Sequence, residues 1–149
     1  MSTILSIDPG TRHTGYAILE GEELKKYGCI EPKSSLELGD RLMTISKYIK
    51  DLIRAHNPTT IICEDQYGGK NTKTLMALRE VTGVARLAAA EFNIDFYLIQ
   101  ATSIKKSVTG DGRASKDKVR NAINEKYQLQ ITNDNISDAI AAGVAHTNS

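Results

Sequence analysis

Three carboxylates in this sequence stand where an acidic side chain is unfavourable unless something pairs with it. Asp8 ends the apolar segment at 4–7, and a Pro-Gly pair stops the strand immediately after it. Glu64 ends a second apolar segment, at 59–63, in the same way. Asp138 is flanked by Ile and Ala in a C-terminal segment with helical periodicity. Because burying an unpaired carboxylate costs free energy, each position predicts a partner.

If these three side chains converge, the resulting cluster of like charges either raises the pKa values of the carboxyl groups or requires a cation. Neighbouring parallel strands present their carboxyl ends at one edge of a sheet, which would place Asp8 beside Glu64. Magnesium or manganese suits such an all-oxygen ligand set. Two such ions about 3.5–4 Å apart can activate a water and stabilise the leaving oxygen of a phosphodiester. The simpler alternatives are that Asp8 caps a turn and that Asp138 interacts with a helix dipole.

Hydrophobic periodicity predicts the elements that must position these carboxylates. In chain order they are strands at 4–8, 15–19 and 23–30, a helix at 36–55, a strand at 59–64, a helix at 75–91, a strand at 95–99 and a last helix from 133 or 134 to about 144. Ser34 or Ser35 is a suitable cap for the first helix. The order predicts an α/β fold in one domain spanning 1–149, with a five-stranded mixed sheet flanked by helices. Small residues around Gly83 allow close approach of the sheet or of a second subunit.

Composition places the chain among ordinary globular proteins. It has 149 residues, of which 40% are hydrophobic and 25% charged, and its net charge is +1. No apolar run approaches the ~18–20 residues needed to span a membrane. Cys29 and Cys63 lie in apolar strand segments without metal-ligand spacing, which predicts buried free thiols in a reducing compartment.

The segment at 105–120 is strongly basic. It carries six basic residues against Asp111 and Asp117, a local net charge of +4, with a Gly-Asp-Gly loop in its middle. A basic, glycine-containing loop is suited to phosphate contacts. The alternative is an ordinary solvated helix face.

Several segments resemble the RuvC Holliday-junction resolvases. They are ILSIDPGTRHTGY at 4–16, EDQYGGKN at 64–71, the helical segment at 78–90, VTG at 108–110 and SDAIA at 137–141. The resemblance covers nearly the whole chain in order. It implies a ribonuclease H-like fold, a homodimer without membrane association, and Mg²⁺-dependent symmetric nicking of four-way DNA junctions, with Mn²⁺ as a substitute.

By position, the resemblance implies that Asp8, Glu64 and Asp138 are metal-binding catalytic residues. The family usually adds an acidic ligand three residues before the last Asp, where this chain has Asn135. An amide oxygen can bind Mg²⁺ but brings no charge. Asp134 could take its place through a small shift of the helix start.

The resemblance also implies DNA contacts. Tyr67 matches an aromatic position near the junction centre, where a ring can stack on bases or wedge between them. Lys105 and Lys116 match basic positions that face the scissile phosphate, where they would be catalytic. The further predicted contacts are Lys70, Asn71, Lys106, Arg113, Lys118 and Arg120. His13 and His146 are left out of the predicted ligand set.

Three other classes of protein compete with this interpretation. Actin-like and sugar-kinase ATPases open with a similar strand and phosphate loop but need a second phosphate motif and a longer chain. A YqgF-like nuclease has an Asp-x-Gly-x-x-Arg opening that resembles residues 8–13, but the loop at 66–71 and the Ser-Asp-Ala segment at 137–139 favour the RuvC resemblance. The third is a junction-binding protein that has lost cleavage, an alternative that Asn135 keeps open.

The resemblance further predicts a cytoplasmic protein of a bacterial or virus-infected bacterial cell. The chain ends soon after its last predicted helix, which indicates a short viral or mobile-element version.

Overall fold

A computed structural model describes residues 2–65 and 71–149. The strands within these residues are β1 (Thr3–Asp8), β2 (Thr14–Glu20), β3 (Glu23–Ile30), β4 (Thr60–Glu64) and β5 (Asp95–Ile99). The helices are α1 (Leu38–His56), α2 (Thr72–Glu91), α3 (Ala101–Thr109), α4 (Lys116–Tyr127) and α5 (Asp134–Asn148). None of these helices has the length and apolar character needed to cross a membrane.

The strands of the described residues form one mixed sheet in the order β3-β2-β1-β4-β5. The pairs β1–β2 and β2–β3 are antiparallel, whereas β1–β4 and β4–β5 are parallel. This is the meander followed by crossovers that the sequence predicts, so the α/β prediction with five mixed strands is confirmed.

Helices cover both faces of the sheet because alternate residues of each strand point to opposite sides. Leu5 and Ile7 of β1 are fully buried in one core with Ile45 and Ile49 of α1 and with residues of α2. The other core contains Ile4, residues of β2 and β4, and residues from α3, α4 and α5. The central strand β1 is therefore covered on both sides, and its carboxyl end, at Asp8, reaches one edge of the sheet.

The first helix begins later than its periodicity suggests. Glu37, not Ser34 or Ser35, is the cap of α1, and its carboxylate accepts from the backbone N–H of Gly39 at 2.8 Å. Arg41 donates to the backbone carbonyls of Leu36 and Ser34. The preceding segment is therefore held as a turn rather than as helix.

The second helix begins three residues earlier than predicted. Asn71 is the cap of α2, and its side-chain oxygen accepts from the backbone N–H of Thr74 at 2.8 Å. An Asn cap satisfies one of the free N–H groups of the first turn, which allows the helix to start at Thr72.

Helix α5 lies directly on β1 and β2 because small residues permit the approach. The Ser6 hydroxyl donates to the carbonyl of Ala139 at 2.5 Å. A Cβ at Gly143 would collide with the Leu19 side chain, and a Cβ at Gly15 would collide with the backbone carbonyl of Asn135. These contacts fix the start of α5 beside the sheet edge where β1 ends.

Candidate active site

Asp8 and Glu64 lie side by side at one edge of the sheet. Ile7 pairs with Cys63 in the parallel register of β1 and β4, and Asp8 and Glu64 are the next residues of the two strands. Both line an open cleft of about 290 Å³, and Asp8 is only 6% exposed. The predicted juxtaposition follows from the register, since strands about 4.8 Å apart place in-register neighbours close together.

The turn that follows β1 forms one wall of this cleft, at 9–13. The hydroxyl of Thr14 donates to the carbonyl of Gly10 at 2.5 Å and accepts from the Gly10 N–H at 3.3 Å. A Cβ at Gly10 would collide with the backbone carbonyl of His13. The turn is therefore closed on itself, and it holds Asp8 at the mouth of the cleft.

Lys116 links Asp138, the third predicted catalytic carboxylate, to the cleft. Its ammonium donates to Oδ2 of Asp138 at 2.9 Å, and the Asp138 side chain is 14% exposed. Partial burial opposes the charge of Lys116, but the hydrogen bond to Asp138 and the charges of Asp138, Asp8 and Glu64 outweigh it and raise the pKa of the lysine. One ammonium thus interacts with all three predicted catalytic carboxylates.

The two candidates for a fourth metal ligand point in different directions. Asn135 lines the cleft with Asp8 and Glu64. The Asp134 carboxylate accepts from Arg120 at 2.6 Å, and Arg120 also donates to Asp117 at 2.9 Å. Asp134 is therefore bound to α4, whereas the residue facing the cleft is the amide.

The donor set of the cleft fits a hard divalent cation. Asp8, Glu64 and Asp138 offer carboxylate oxygens, and Asn135 offers an amide oxygen. Lys116 and Arg12 supply two positive charges against three carboxylates, so one net negative charge is left for a cation to balance. Oxygen donors alone favour Mg²⁺ or Mn²⁺ over softer metals.

Four of the other predicted DNA contacts, Lys105, Lys106, Arg113 and Lys118, are not among the described residues that line the cleft. Lys105 is half-buried on α3, and Lys106 lies beside a groove between α3 and the end of α5. Arg113 and Lys118 are exposed around Asp111, which accepts from the backbone of Arg113 and lies 3.9 Å from the Lys118 ammonium.

Four further predicted contacts have different outcomes. Asn71 is described, and its side chain caps α2. Tyr67 and Lys70 lie outside the described residues. Arg120, predicted to contact DNA, is held by two carboxylates of its own chain.

Sequence patterns missed three residues that line the cleft. Arg12, His13 and Leu78 line it, and the signal for the first two was their position directly after the Asp8 strand.

The ring of His146 stacks on Tyr97 of β5 with centroids 5.5 Å apart. Cys63 is buried as predicted, but Cys29 is only half-buried.

A mixed sheet that opens with a three-stranded meander, with carboxylates at the ends of β1 and β4, defines a ribonuclease H-like domain. The sequence profile described as Crossover junction endodeoxyribonuclease RuvC matches residues 4–146. A Crossover junction endodeoxyribonuclease RuvC of Protochlamydia amoebophila is 35% identical over 149 residues, covering 96% of this chain and 89% of the relative. This chain therefore belongs to the RuvC family.

Solved structures support the fold. The chain is similar to Thermus thermophilus RuvC in complex with a Holliday junction substrate, with a TM-score of 0.89 and 18% identity over 98% of this chain and 93% of that one. It is also similar to the yeast mitochondrial Holliday junction resolvase Ydc2, with a TM-score of 0.67 and 12% identity over 98% of this chain and 78% of that one. Family membership confirms the RuvC resemblance and decides against the ATPase and YqgF-like alternatives.

Proposed function

We propose that the protein is a metal-dependent endonuclease that nicks Holliday junctions and related branched DNA in recombination and repair. The observation that carries the proposal is the shared cleft of Asp8 and Glu64, with Lys116 joining it to Asp138. Thermus thermophilus RuvC, whose fold this chain shares, binds a Holliday junction substrate. Its place of action would be the cytoplasm of a bacterial or virus-infected bacterial cell.

The metal would be Mg²⁺, with Mn²⁺ as a substitute, held by Asp8, Glu64, Asp138 and Asn135. When bound, it supplies activation of a water and compensation of charge on the leaving oxygen. Lys116, which lines the cleft, would hold a scissile phosphate and balance charge that develops on it. Asp138 orients the lysine through their 2.9 Å contact. We also propose Lys105 as a second catalytic lysine, because it matches a phosphate-facing position of the family.

Binding of the DNA would rest on phosphate contacts near the cleft. The proposed cations are Lys105, Lys106, Arg113, Lys116 and Lys118. Lys70, Asn71 and Tyr67 are further proposed contacts, because the segment at 64–71 resembles the family. Arg120 is the weakest of the proposed contacts, because its guanidinium already interacts with Asp117 and Asp134.

We infer that two copies pair through the exposed face of α2. Met76 and Leu87 are 64% and 61% exposed. They share a helical face with Gly83, which has no heavy atom within 4 Å of an added Cβ. A small residue between two large apolar ones allows a second helix to approach closely. A two-fold dimer would present two clefts, matching the symmetry of a four-way junction.

Substitution of Leu87 tests the dimer. Leu87→Glu should convert a dimer into a monomer in analytical ultracentrifugation and replace paired junction nicks with slow single nicks. Met43→Glu is the matched control, because Met43 is 66% exposed but lies on α1. A Leu87→Glu protein that remains a dimer would remove α2 from the interface.

The cleavage test uses a labelled four-way junction beside a linear duplex of the same sequence. Paired nicks in the junction should require Mg²⁺ or Mn²⁺ and should be lost with EDTA. Asp8→Asn should abolish nicking while retaining junction binding, and Asp51→Asn, an exposed substitution on α1, should nick normally. Tight junction binding without nicks under either metal would favour the non-cleaving alternative.

A further inference from the structure

A second group of metal-binding side chains lies beside the carboxylate cleft. His13 comes from the turn after β1, Cys29 from the end of β3, and Glu31 follows β3 directly. Among the described residues, one ligand atom from each of these three lies within 4.8 Å of the other two. Nδ1 of His13 is 3.4 Å from Oε1 of Glu31. The group therefore brings together an imidazole, a thiol and a carboxylate that are distant in sequence.

We propose that His13, Cys29 and Glu31 form a Zn²⁺ site with three protein ligands and a water. Zinc accepts nitrogen, sulfur and oxygen donors at about 2.0–2.3 Å in a tetrahedron, whose edges are then roughly 3.3–3.8 Å. The 3.4 Å separation of the His13 and Glu31 atoms already equals such an edge. The Cys29 sulfur lies within 4.8 Å of both atoms, so metal binding would draw it closer to them.

The surroundings of the three ligands allow a cation to enter. The side chains of His13 and Glu31 are 52% and 58% exposed, whereas Cys29 is half-buried. Burial and the charge of Glu31 raise the pKa of the Cys29 thiol to about 11, while a hydrogen bond from the Asn133 side chain favours the thiolate. On metal binding the thiol releases its proton to solvent, and the Asn133 contact would support the thiolate ligand.

This site differs in chemistry from the carboxylate cleft, although His13 borders both. The cleft offers oxygen donors, which suit Mg²⁺, whereas a thiolate with an imidazole selects zinc. Asn133 also caps α5, the helix that carries Asn135 and Asp138. Zinc would therefore tie together the turn after β1, the end of β3 and the start of α5, and it should raise the melting temperature of the protein.

Cobalt(II) is a suitable probe, because a cobalt–thiolate bond gives a charge-transfer absorption that oxygen ligands do not. The reduced full-length protein is titrated with Co²⁺ in excess Mg²⁺, which occupies the carboxylate cleft. We expect one thiolate-bound cobalt per chain, displaced by Zn²⁺. The band should disappear in Cys29→Ser. Glu31→Gln should lower the cobalt affinity at least about tenfold, because even mutation of a residue that only contacts a metal ligand has an effect of that size.

Two further variants make the test specific. Asp8→Asn weakens the cleft and should leave the cobalt–thiolate band unchanged. Cys63→Ala should also leave it unchanged, because the Cys63 side chain is buried in the core between the sheet and α1 and α2. Circular dichroism and junction binding confirm that each variant is folded. The proposal is overturned if the wild-type protein gives no thiolate band, or if the band survives in Cys29→Ser.

Discussion

Nζ of Lys116 and Oδ2 of Asp138 lie 2.9 Å apart and join the start of α4 to the first turns of α5. The two residues are 22 positions apart in sequence. Lys116 is also the one described lysine that lines the cleft of Asp8 and Glu64. The contact with Asp138 therefore positions the Lys116 ammonium directly beside the carboxylates of Asp8 and Glu64.

Lys116→Met should reduce the rate of junction nicking by about a hundredfold, the usual loss when one group that stabilises developing charge is removed. The rate is measured in single turnover with protein in excess, so that weaker DNA binding does not limit it. Lys126→Met is the control, because Lys126 is exposed near the other end of α4 and its ammonium lies over the Tyr127 ring. If both variants nick at the wild-type rate, Lys116 has no part in the chemistry.

The orientations of Asn135 and Asp134 predict different effects on the metal requirement. Asn135→Asp adds a charge inside the cleft and should lower the Mg²⁺ concentration for half-maximal nicking roughly tenfold, since ligand charge tunes such affinities. Asp134→Asn removes a partner of Arg120 and should leave the Mg²⁺ requirement unchanged while lowering the melting temperature slightly. The opposite pattern in a Mg²⁺ titration would make Asp134 the ligand.

The positions of Asp8 and Glu64 could be predicted because they depend on local patterns. An apolar strand that stops at a carboxylate places that side chain at the carboxyl end of the strand. Parallel pairing of β1 and β4 then brings the two carboxylates together at one edge of the sheet. The start of α5 was equally predictable, since Asn133 is a good cap and its side chain accepts from the backbone of Asn135 and Ile136.

Contacts between distant segments could not be predicted from such patterns. Arg120 has the sequence context of a DNA contact, yet folding places it against Asp134, 14 residues away. The sequence spacing of Cys29 did not suggest a metal site. Cys29 lies near His13 only because β2 pairs with β3 in the folded protein. The N-cap of α1 could not be predicted either, because Ser34 and Ser35 are suitable cap residues but Glu37 is the cap in the structure.

Gly15→Ala should destabilise the protein, because its Cβ would collide with the backbone carbonyl of Asn135. Overpacking of this kind costs about 1–3 kcal/mol of unfolding free energy, which corresponds to a fall of roughly 3–10 °C in melting temperature. Gly112→Ala is the control, because the nearest atom to its Cβ would be the Thr102 carbonyl at an ordinary 3.5 Å. Equal melting temperatures for the two variants would show that α5 can shift freely on β2.

Arg113 and Lys118 are exposed cations around the Gly-Asp-Gly loop, and their proposed role is phosphate contact. Arg113→Gln and Lys118→Gln should each reduce the slope of log binding constant against log salt by about 1, because each phosphate contact releases about one counterion. Affinity for junctions of different sequence should fall by a similar factor, since a phosphate contact carries no information on base sequence. Lys47→Gln, on the exposed face of α1, should leave the slope unchanged. Fluorescence anisotropy over a range of salt concentrations measures all three, and unchanged slopes for both loop variants would place the DNA on another surface.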